Sequence, residues 1–376
     1  MMVARMDLAA LPTPALLLDL DVVERNLCRM AERAATLGVA LRPHVKTHKS
    51  VELAERQRAL GARGLTVSTL YEARVLADHG FDDLTWAFPV ILSRLGEVRE
   101  LAARITLRVV VDSAAALDGI AALGSPGRPL HTWLKVDCGY HRAGVDPASE
   151  AAVALAAGIA GSPALVFDGV LSHSGHAYHG ASRQEIAAAA EEERRVMAGF
   201  AARLCERGIP VPAVSVGSTP AMAVVERLDG ATEARPGNYV FYDWTQVALG
   251  SCGVRDCGVT VLASVVSSRP EAGRSVVDAG ALALSKDAGP EPQDGRPRSL
   301  GETFADYSAG AAGELAPDVR LESLSQEHGI LTAALPVGSR VRILPNHSCL
   351  AVACFDEYCV VRGTTVVDRW KIWRGR

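Results

Sequence analysis

Residues 165–219, LVFDGVLSHSGHAYHGASRQEIAAAAEEERRVMAGFAARLCERGIPVPAVSVGST, decide the fold. They begin with an apolar run, 165–172. They then pass through 186–206, where apolar side chains recur at three-and-four spacing between charged ones, and return to an apolar run at 213–217. The runs have the length and make-up of buried strands, and the middle stretch is that of an amphipathic helix covering a sheet. One strand, one covering helix and a second strand form the repeating unit of a parallel sheet.

The same unit extends towards the amino terminus. Further strand-like runs lie at 15–20, 40–46, 64–68, 83–88, 105–111 and 132–137, with amphipathic stretches at 22–37, 51–60 and 70–78. Six runs added to two make eight, the number that closes a (β/α)8 barrel. After about residue 248 the texture changes to strand-like runs broken by turn residues, at 259–266, 274–278, 338–344, 350–353, 358–361 and 364–372. The expected class is α/β, a TIM-like (β/α)8 barrel followed by a C-terminal antiparallel β domain. The barrel is expected over 14–248 and the β domain over 249–376 together with 1–13. Residues 288–298, AGPEPQDGRPR, read as a surface loop.

Composition narrows the function classes. The chain has 376 residues, 49% hydrophobic and 22% charged, as soluble globular proteins do. No apolar run reaches the roughly 18 residues of a membrane span, and the amino-terminal stretch lacks a secretory core. A cytoplasmic enzyme is expected, with no membrane partner. A net charge of −4, with Lys and Arg scattered, leaves no footprint for nucleic acid, so the partner is a small molecule. Eight cysteines in a chain this long are too sparse for a disulfide scaffold. Cys252 and Cys257 have the look of half a zinc site, but no second pair of suitable spacing follows.

In a parallel barrel the chemistry gathers where strands end, and polar residues cluster there. Lys46 closes its run in LRPHVKTHK, as either a Schiff-base amine or a rim lysine paired with an acid. Arg142 follows the sixth run in KVDCGYHRAG, and holds an anion or salt-bridges a helix. His173 ends the seventh in GVLSHSGHAYHG. Gly217, Ser218 and Thr219 end the eighth and offer N–H groups and hydroxyls to a phosphate, or form a plain turn. In the second domain His347 and Cys349 follow an extended run in RILPNHSC. Positions i and i+2 of an extended segment point to one side about 7 Å apart, which lets imidazole and thiolate meet at one cation about 2.0–2.3 Å from each. A nitrogen–sulfur pair favours zinc over magnesium. The alternative is a buried cysteine beside a backbone-bonded histidine.

Together these pieces resemble the D-serine dehydratase and D-threonine aldolase family, pyridoxal 5′-phosphate (PLP) enzymes of the alanine-racemase fold type. The likeness covers nearly the whole chain. Its marks are TPALLLDLD at the start, RPHVKTHK around Lys46, KVDCGYHRAG around Arg142, HSGHAY at 173–178, GSTP at 217–220, ARPGNYVFYD at 234–243, VVDAG at 276–280, QEHG at 326–329 and PNHSC at 345–349.

The resemblance implies a Schiff-base lysine at Lys46 and an arginine near the cofactor's phenolic oxygen at Arg142. It implies phosphate donors at Gly217, Ser218, Thr219, Gly237, Asn238 and Tyr239. Tyr178, with His173 beside it, is the candidate for the pyridine ring. His347 and Cys349 would hold a divalent metal, zinc before manganese, magnesium or cobalt. The family's aldolases carry aspartate as the second ligand and its dehydratases cysteine, so Cys349 leans towards elimination. The implied activity is a lyase that turns D-serine or 3-hydroxy-D-aspartate into keto acid and ammonia. Lys46 would take the Cα proton and the metal would activate the β-hydroxyl. The rivals are retro-aldol cleavage of a D-threonine-like substrate to glycine and an aldehyde, racemisation, and PLP binding without catalysis. Arg235, Arg255 and Lys286 are candidate partners for a second substrate carboxylate. The resemblance also implies a homodimer, with the metal-bearing domain set against a barrel mouth.

Overall fold

Short apolar strands alternate with helices, several of which start on a hydroxyl cap, and this local grammar builds the first sheet. Thr69 caps the helix Leu70–Asp78 in a reciprocal box with Glu72, while Ser113, Ser149 and Ser182 cap Ala114–Ala121, Glu150–Gly161 and Arg183–Glu206. Each cap hydroxyl accepts a backbone N–H left over at the helix start, a gain of about 1 kcal/mol. In this computed structural model of the chain, residues 6–290 and 297–376 are described.

The chain divides into two compact units. One comprises Met30–Lys46, Leu53–Gly237 and Gly375–Arg376; the other comprises the residues up to Arg29, Thr47–Glu52 and Asn238–Arg374.

In the first unit eight strands among the described residues pair in parallel. They are Ala40–Leu41, Leu65–Val67, Asp83–Pro89, Thr106–Val111, Leu130–Lys135, Leu165–Leu171, Val214–Val216 and Glu233–Ala234. A parallel bridge between His44 and Thr66 joins the two edge strands, so the ring closes as the expected (β/α)8 barrel. Val110, Trp133 and Leu171 form a dry cluster within it. Near the strand starts runs a chain of buried and half-buried charges. Arg42 pairs with Glu233 and Asp83, Arg108 with Asp83 and Asp168, and His131 with Asp168. Each charge has a counter-charge, as burial requires.

The second unit is built on antiparallel pairing. Val259–Arg269 lies between Ala15–Asp19 and Arg340–Leu344, and Glu357–Arg362 pairs with Thr365–Lys371. Leu8, Leu11, Leu17, Leu262, Val361 and Val366 are packed together at its centre.

Three sequence expectations change. The run at 15–20 is not a barrel strand. Ala15–Asp19 is flanked on both edges within the second sheet, antiparallel to Val259–Arg269 and parallel to Glu357–Arg362. A run buried on both faces has the same sequence texture in either sheet. The eighth barrel strand is Glu233–Ala234, only two residues long. The run at 350–353 is helical, in Ser348–Val352. The loop expected at 288–298 lies outside the described residues over 291–296. Among the described residues no helix is long and apolar enough to cross a membrane.

Candidate active site

Lys46 was expected to close a strand, and it does not. The strand ends at Leu41, Pro43 has no N–H to offer a ladder, and the chain enters a 3-10 turn, Val45–Thr47, that carries Lys46 with its side chain exposed. The other predicted positions of the barrel unit do follow strands. Arg142 lies in the loop after Leu130–Lys135, exposed, with its guanidinium 5.1 Å from the centre of the Tyr140 ring. His173 follows Leu165–Leu171 and meets the same tyrosine edge-on, ring centres 6.1 Å apart. Tyr178 lies in the 3-10 segment Gly175–His179. A Cβ on Gly175 would fall 2.2 Å from the Tyr140 ring, so this glycine makes room for the tyrosine that joins the two loops.

The electrostatics of this mouth are one-sided. Burial pushes the His173 pKa well below the ordinary histidine range, and the cations Lys46, Lys135, Arg142 and Arg235 push it further. Lys135, buried at the end of its strand, is lowered to about 7 by burial and by Arg235 and Arg142, against the raising effect of Cys138 and Glu193. A neutral imidazole among four basic groups, with Glu193 as a buried carboxylate beside them, is an environment in which cations outnumber anions, and an anionic cofactor such as PLP fits it.

Glu193 is the buried carboxylate that orders this region. It accepts from the Ser172 hydroxyl at 2.7 Å and from the Gly217 N–H at 3.1 Å. Gly217 has φ +98°, a conformation that glycine adopts without strain. Its N–H is therefore already engaged. The side chains the turn brings forward are Ser218, which caps the short helix Thr219–Val224 and lies 3.2 Å from the Ser174 hydroxyl, and Thr219; both are buried. Arg235 is buried too, its guanidinium donating to the Ser215 hydroxyl and the Ser172 carbonyl, whereas Arg255 and Lys286 are exposed. Gly237 is buried at the end of the barrel unit's chain.

In the β unit, Asn238 and Tyr239 are buried in a 3-10 turn. His347 has extended backbone, but Cys349 has turned into the helix Ser348–Val352, so the pair does not share one face of a strand as expected. The side chains nevertheless meet, hydrogen-bonded to each other. His347 Nδ1 lies 3.0 Å from Asp287 Oδ2. Burial lowers the His347 pKa, but Cys349 and then Asp287 overcome it and raise it to about 11. This donor set calls for positive charge. A carboxylate behind one imidazole nitrogen and a cysteine sulfur beside the ring are surroundings that suit a metal-binding histidine, and the nitrogen–sulfur chemistry fits a divalent cation. Thr47, the residue after Lys46, brings its hydroxyl 3.2 Å from Cys349 Sγ, and Asn238 Nδ2 donates to the same sulfur at 3.8 Å. Among the described residues no group of three or more His, Cys, Asp and Glu has the geometry of a metal site, so a cation here would take the pair and complete its shell with water or substrate.

The loop that carries the pair is clasped from the sequence just after Asn238. Asp243 Oδ2 accepts from Asn238 Nδ2 (2.7 Å), the Ser348 N–H (2.9 Å) and the Ser348 hydroxyl (3.1 Å). The N–H groups of Trp244 and Thr245 donate to Pro345 O and Asn346 O, and the Thr245 hydroxyl adds a 2.7 Å bond to Asn346 O. Asp243, Asp287, Thr47, Glu193 and Lys135 were not singled out from sequence. Of these, Lys135 opens KVDCGYHRAG, Thr47 follows Lys46 in RPHVKTHK and Asp243 closes ARPGNYVFYD, whereas Asp287 and Glu193 stand outside the quoted motifs.

Two family models match the chain. Residues 18–243 match the alanine racemase N-terminal domain, and residues 258–361 match the "Putative serine dehydratase domain". The chain is 38% identical to the D-threo-3-hydroxyaspartate dehydratase of Delftia sp. strain HT23, over 98% of this chain and 99% of that one. The solved structure of that dehydratase superimposes with a TM-score of 0.92, covering 98% of this chain and all of the other, and a Cys-to-Ala mutant of it was solved in a metal-free form. The D-serine dehydratase of Dictyostelium discoideum is 36% identical over 94% of each chain, and an Arthrobacter D-threonine aldolase 30% identical over 97% of this chain and 93% of that one. The chain belongs to the D-serine dehydratase and D-threonine aldolase family of pyridoxal-phosphate enzymes with the alanine-racemase fold.

Proposed function

We propose that this chain is a PLP- and divalent-metal-dependent lyase that eliminates water from D-configured β-hydroxy-α-amino acids, D-serine or 3-hydroxy-D-aspartate, to give keto acid and ammonia. One observation carries the reading. His347 and Cys349, backed by Asp287, form a nitrogen–sulfur pair that calls for a cation, in a chain related over its whole length to dehydratases. Cysteine at this position also departs from the aspartate of the aldolase pattern.

Bound PLP supplies an electron sink that acidifies the Cα–H of an attached amino acid. A divalent metal, zinc by the softness of the donors, supplies the Lewis acidity that makes a β-hydroxyl a tolerable leaving group. The chain's own residues do the rest. Lys46 Nζ would hold the cofactor, and its free amine would take the Cα proton. Arg142 serves the phenolic oxygen, and Tyr178 with His173 the ring. His173, kept neutral by burial and then by its cationic neighbours, adds no further positive charge there. Ser218, Thr219, Gly217, Gly237, Asn238 and Tyr239 serve the phosphate, with Gly217 acting through its turn because its N–H already bonds Glu193. Asp287 takes the Nδ1 proton of His347 as a hydrogen-bond acceptor, which fixes the tautomer and leaves the other nitrogen's lone pair for the metal. Family likeness alone extends the reading to a cytoplasmic homodimer.

The test is to incubate purified PLP-loaded protein with D-serine, D-threonine and 3-hydroxy-D-aspartate, before and after EDTA, and to assay keto acid, ammonia, glycine and aldehyde. Keto acid and ammonia that vanish with EDTA and return with metal are expected. Glycine and aldehyde in their place would convert the assignment to an aldolase. No product from any of the three would overturn the reading.

A further inference from the structure

The helix Arg183–Glu206 buries a carboxylate, Glu193, 2% exposed, at the ends of two barrel strands. One of its oxygens accepts from the Ser172 hydroxyl at 2.7 Å, directly after Leu165–Leu171. The other accepts from the Gly217 N–H at 3.1 Å, directly after Val214–Val216. Like charges repel strongly where water is excluded, so a carboxylate beside a turn assigned to a phosphate is there for what it holds.

Its two arms are not equivalent. Ser172 is fixed by its backbone without Glu193: its N–H donates to Ser215 O at 3.0 Å, and the Arg235 guanidinium donates to its carbonyl. Gly217 has left the ladder. Val216 O still accepts from the Arg235 N–H at 3.0 Å, but the next N–H, that of Gly217, turns to Glu193 instead of to a strand carbonyl. A Cβ on Gly217 would meet nothing closer than the Ala234 Cβ at 3.6 Å, so the position needs glycine for its φ of +98° and not for space. The bend thus leans on one side-chain acceptor, and the next two residues, Ser218 and Thr219, are both buried.

We propose, on the reading of 217–219 as the phosphate turn, that Glu193 is a positioning residue for the cofactor's phosphate: by accepting the Gly217 N–H it sets the bend that presents Ser218 and Thr219. Without it the Ser172 side keeps its backbone bonds and the Gly217 side is unpinned, so the phosphate end should weaken while the ring end stays. The charge of Glu193, which faces Lys135 and Arg235, is a separate matter, and an uncharged acceptor distinguishes shape from charge. In glutamine the amide oxygen can take the Gly217 N–H while the amide NH2 donates to the Ser172 hydroxyl, which accepts as well as donates.

The experiment titrates the cofactor-free full-length chain with PLP and with pyridoxal, which lacks the phosphate, and follows the absorbance of the lysine-bound aldehyde. Glu193→Met, of similar length but with no acceptor, should bind PLP about tenfold more weakly, the scale of one hydrogen bond lost from a charged group, and pyridoxal as wild type does. Glu193→Gln should bind both ligands nearly as wild type does. Where Glu193→Met does not fold, Glu193→Asp, whose carboxylate falls a methylene short of both donors, should show the same split in smaller measure. Equal losses for PLP and pyridoxal, no loss for either, or a Gln variant as weak as the Met variant would overturn the proposal. Wild type that binds PLP no better than pyridoxal would refute the phosphate assignment of 217–219 and the proposal with it, and wild type that binds neither would refute the cofactor reading.

Discussion

In the barrel unit His173 and Ser218 come two residues after a strand, so the ladder that builds the fold also places them, and Arg142 lies further out in the loop after Leu130–Lys135. In the β unit His347 and Cys349 sit in a turn and a five-residue helix whose placement depends on side-chain bonds from Asp243, Thr245 and Asp287. Strand-borne positions tolerate the loss of most neighbours because backbone bonds carry them. The turn-borne positions should depend more on the carboxylates of Asp243 and Asp287. The barrel mouth gathers cations and the β-unit turn gathers anions, so the first invites an anionic cofactor and the second a metal cation.

The largest effect should come from Lys46→Ala. Turnover of D-serine is expected to drop by roughly 10³-fold or more, the scale for removing a covalent catalytic group. A variant with turnover near wild type would show that the lysine is only a rim residue. Asp243→Ala comes next. It leaves Ser348 and Asn238 donors buried without their acceptor, and about 2–4 kcal/mol of stability should go, read by urea unfolding. Loss of less than 1 kcal/mol would mean that the backbone alone holds the turn.

Asp287→Asn sharpens the contrast without disturbing packing. Metal affinity should weaken about 10- to 100-fold, as for other partners behind a ligating histidine, with cofactor absorbance unchanged. An unaltered affinity would remove Asp287 from the metal account.

The smallest effect concerns Lys135. Its folded pKa of about 7 lies below the ordinary lysine value of 10.5. Between those two values the unfolded chain binds the extra proton, so this group lets stability rise with pH from 7 to 10.5 and penalises the fold most at or below 7. Lys135→Met in cofactor-free protein should raise the melting temperature by a few degrees at pH 6, and the gain should shrink to nothing by pH 10.5. A gain that is flat across that range would contradict the lowered pKa.

The sequence shows most of the architecture, because seven of the eight expected barrel runs fall on barrel strands and their helices carry the period of a covering face. It misleads where pattern has no direction. Ala15–Asp19 is apolar up to Leu18 and looks alike in a parallel barrel or an antiparallel sheet. Glu233–Ala234 is too short to have a period, and the apolar LAVA of 350–353 suits strand and helix equally. Residue type and position raised Lys46, Arg142, His347 and Cys349 as candidates, and the motifs RPHVKTHK, KVDCGYHRAG and PNHSC around them carried the assignment. Their supports were invisible because they come from far away: Thr47 is 302 positions from Cys349, and Asp287 is 60 from His347.

The central claim is that the two regions hold two separate cofactors. The direct measurement is the visible absorbance of lysine-bound PLP and the metal content of the same three preparations, wild type, Lys46→Ala and Cys349→Ala. Lys46→Ala should lose the band and keep the metal, and Cys349→Ala should lose the metal and keep the band. Both losses occurring together in either variant, or a Cys349→Ala protein with full metal content, would contradict the account.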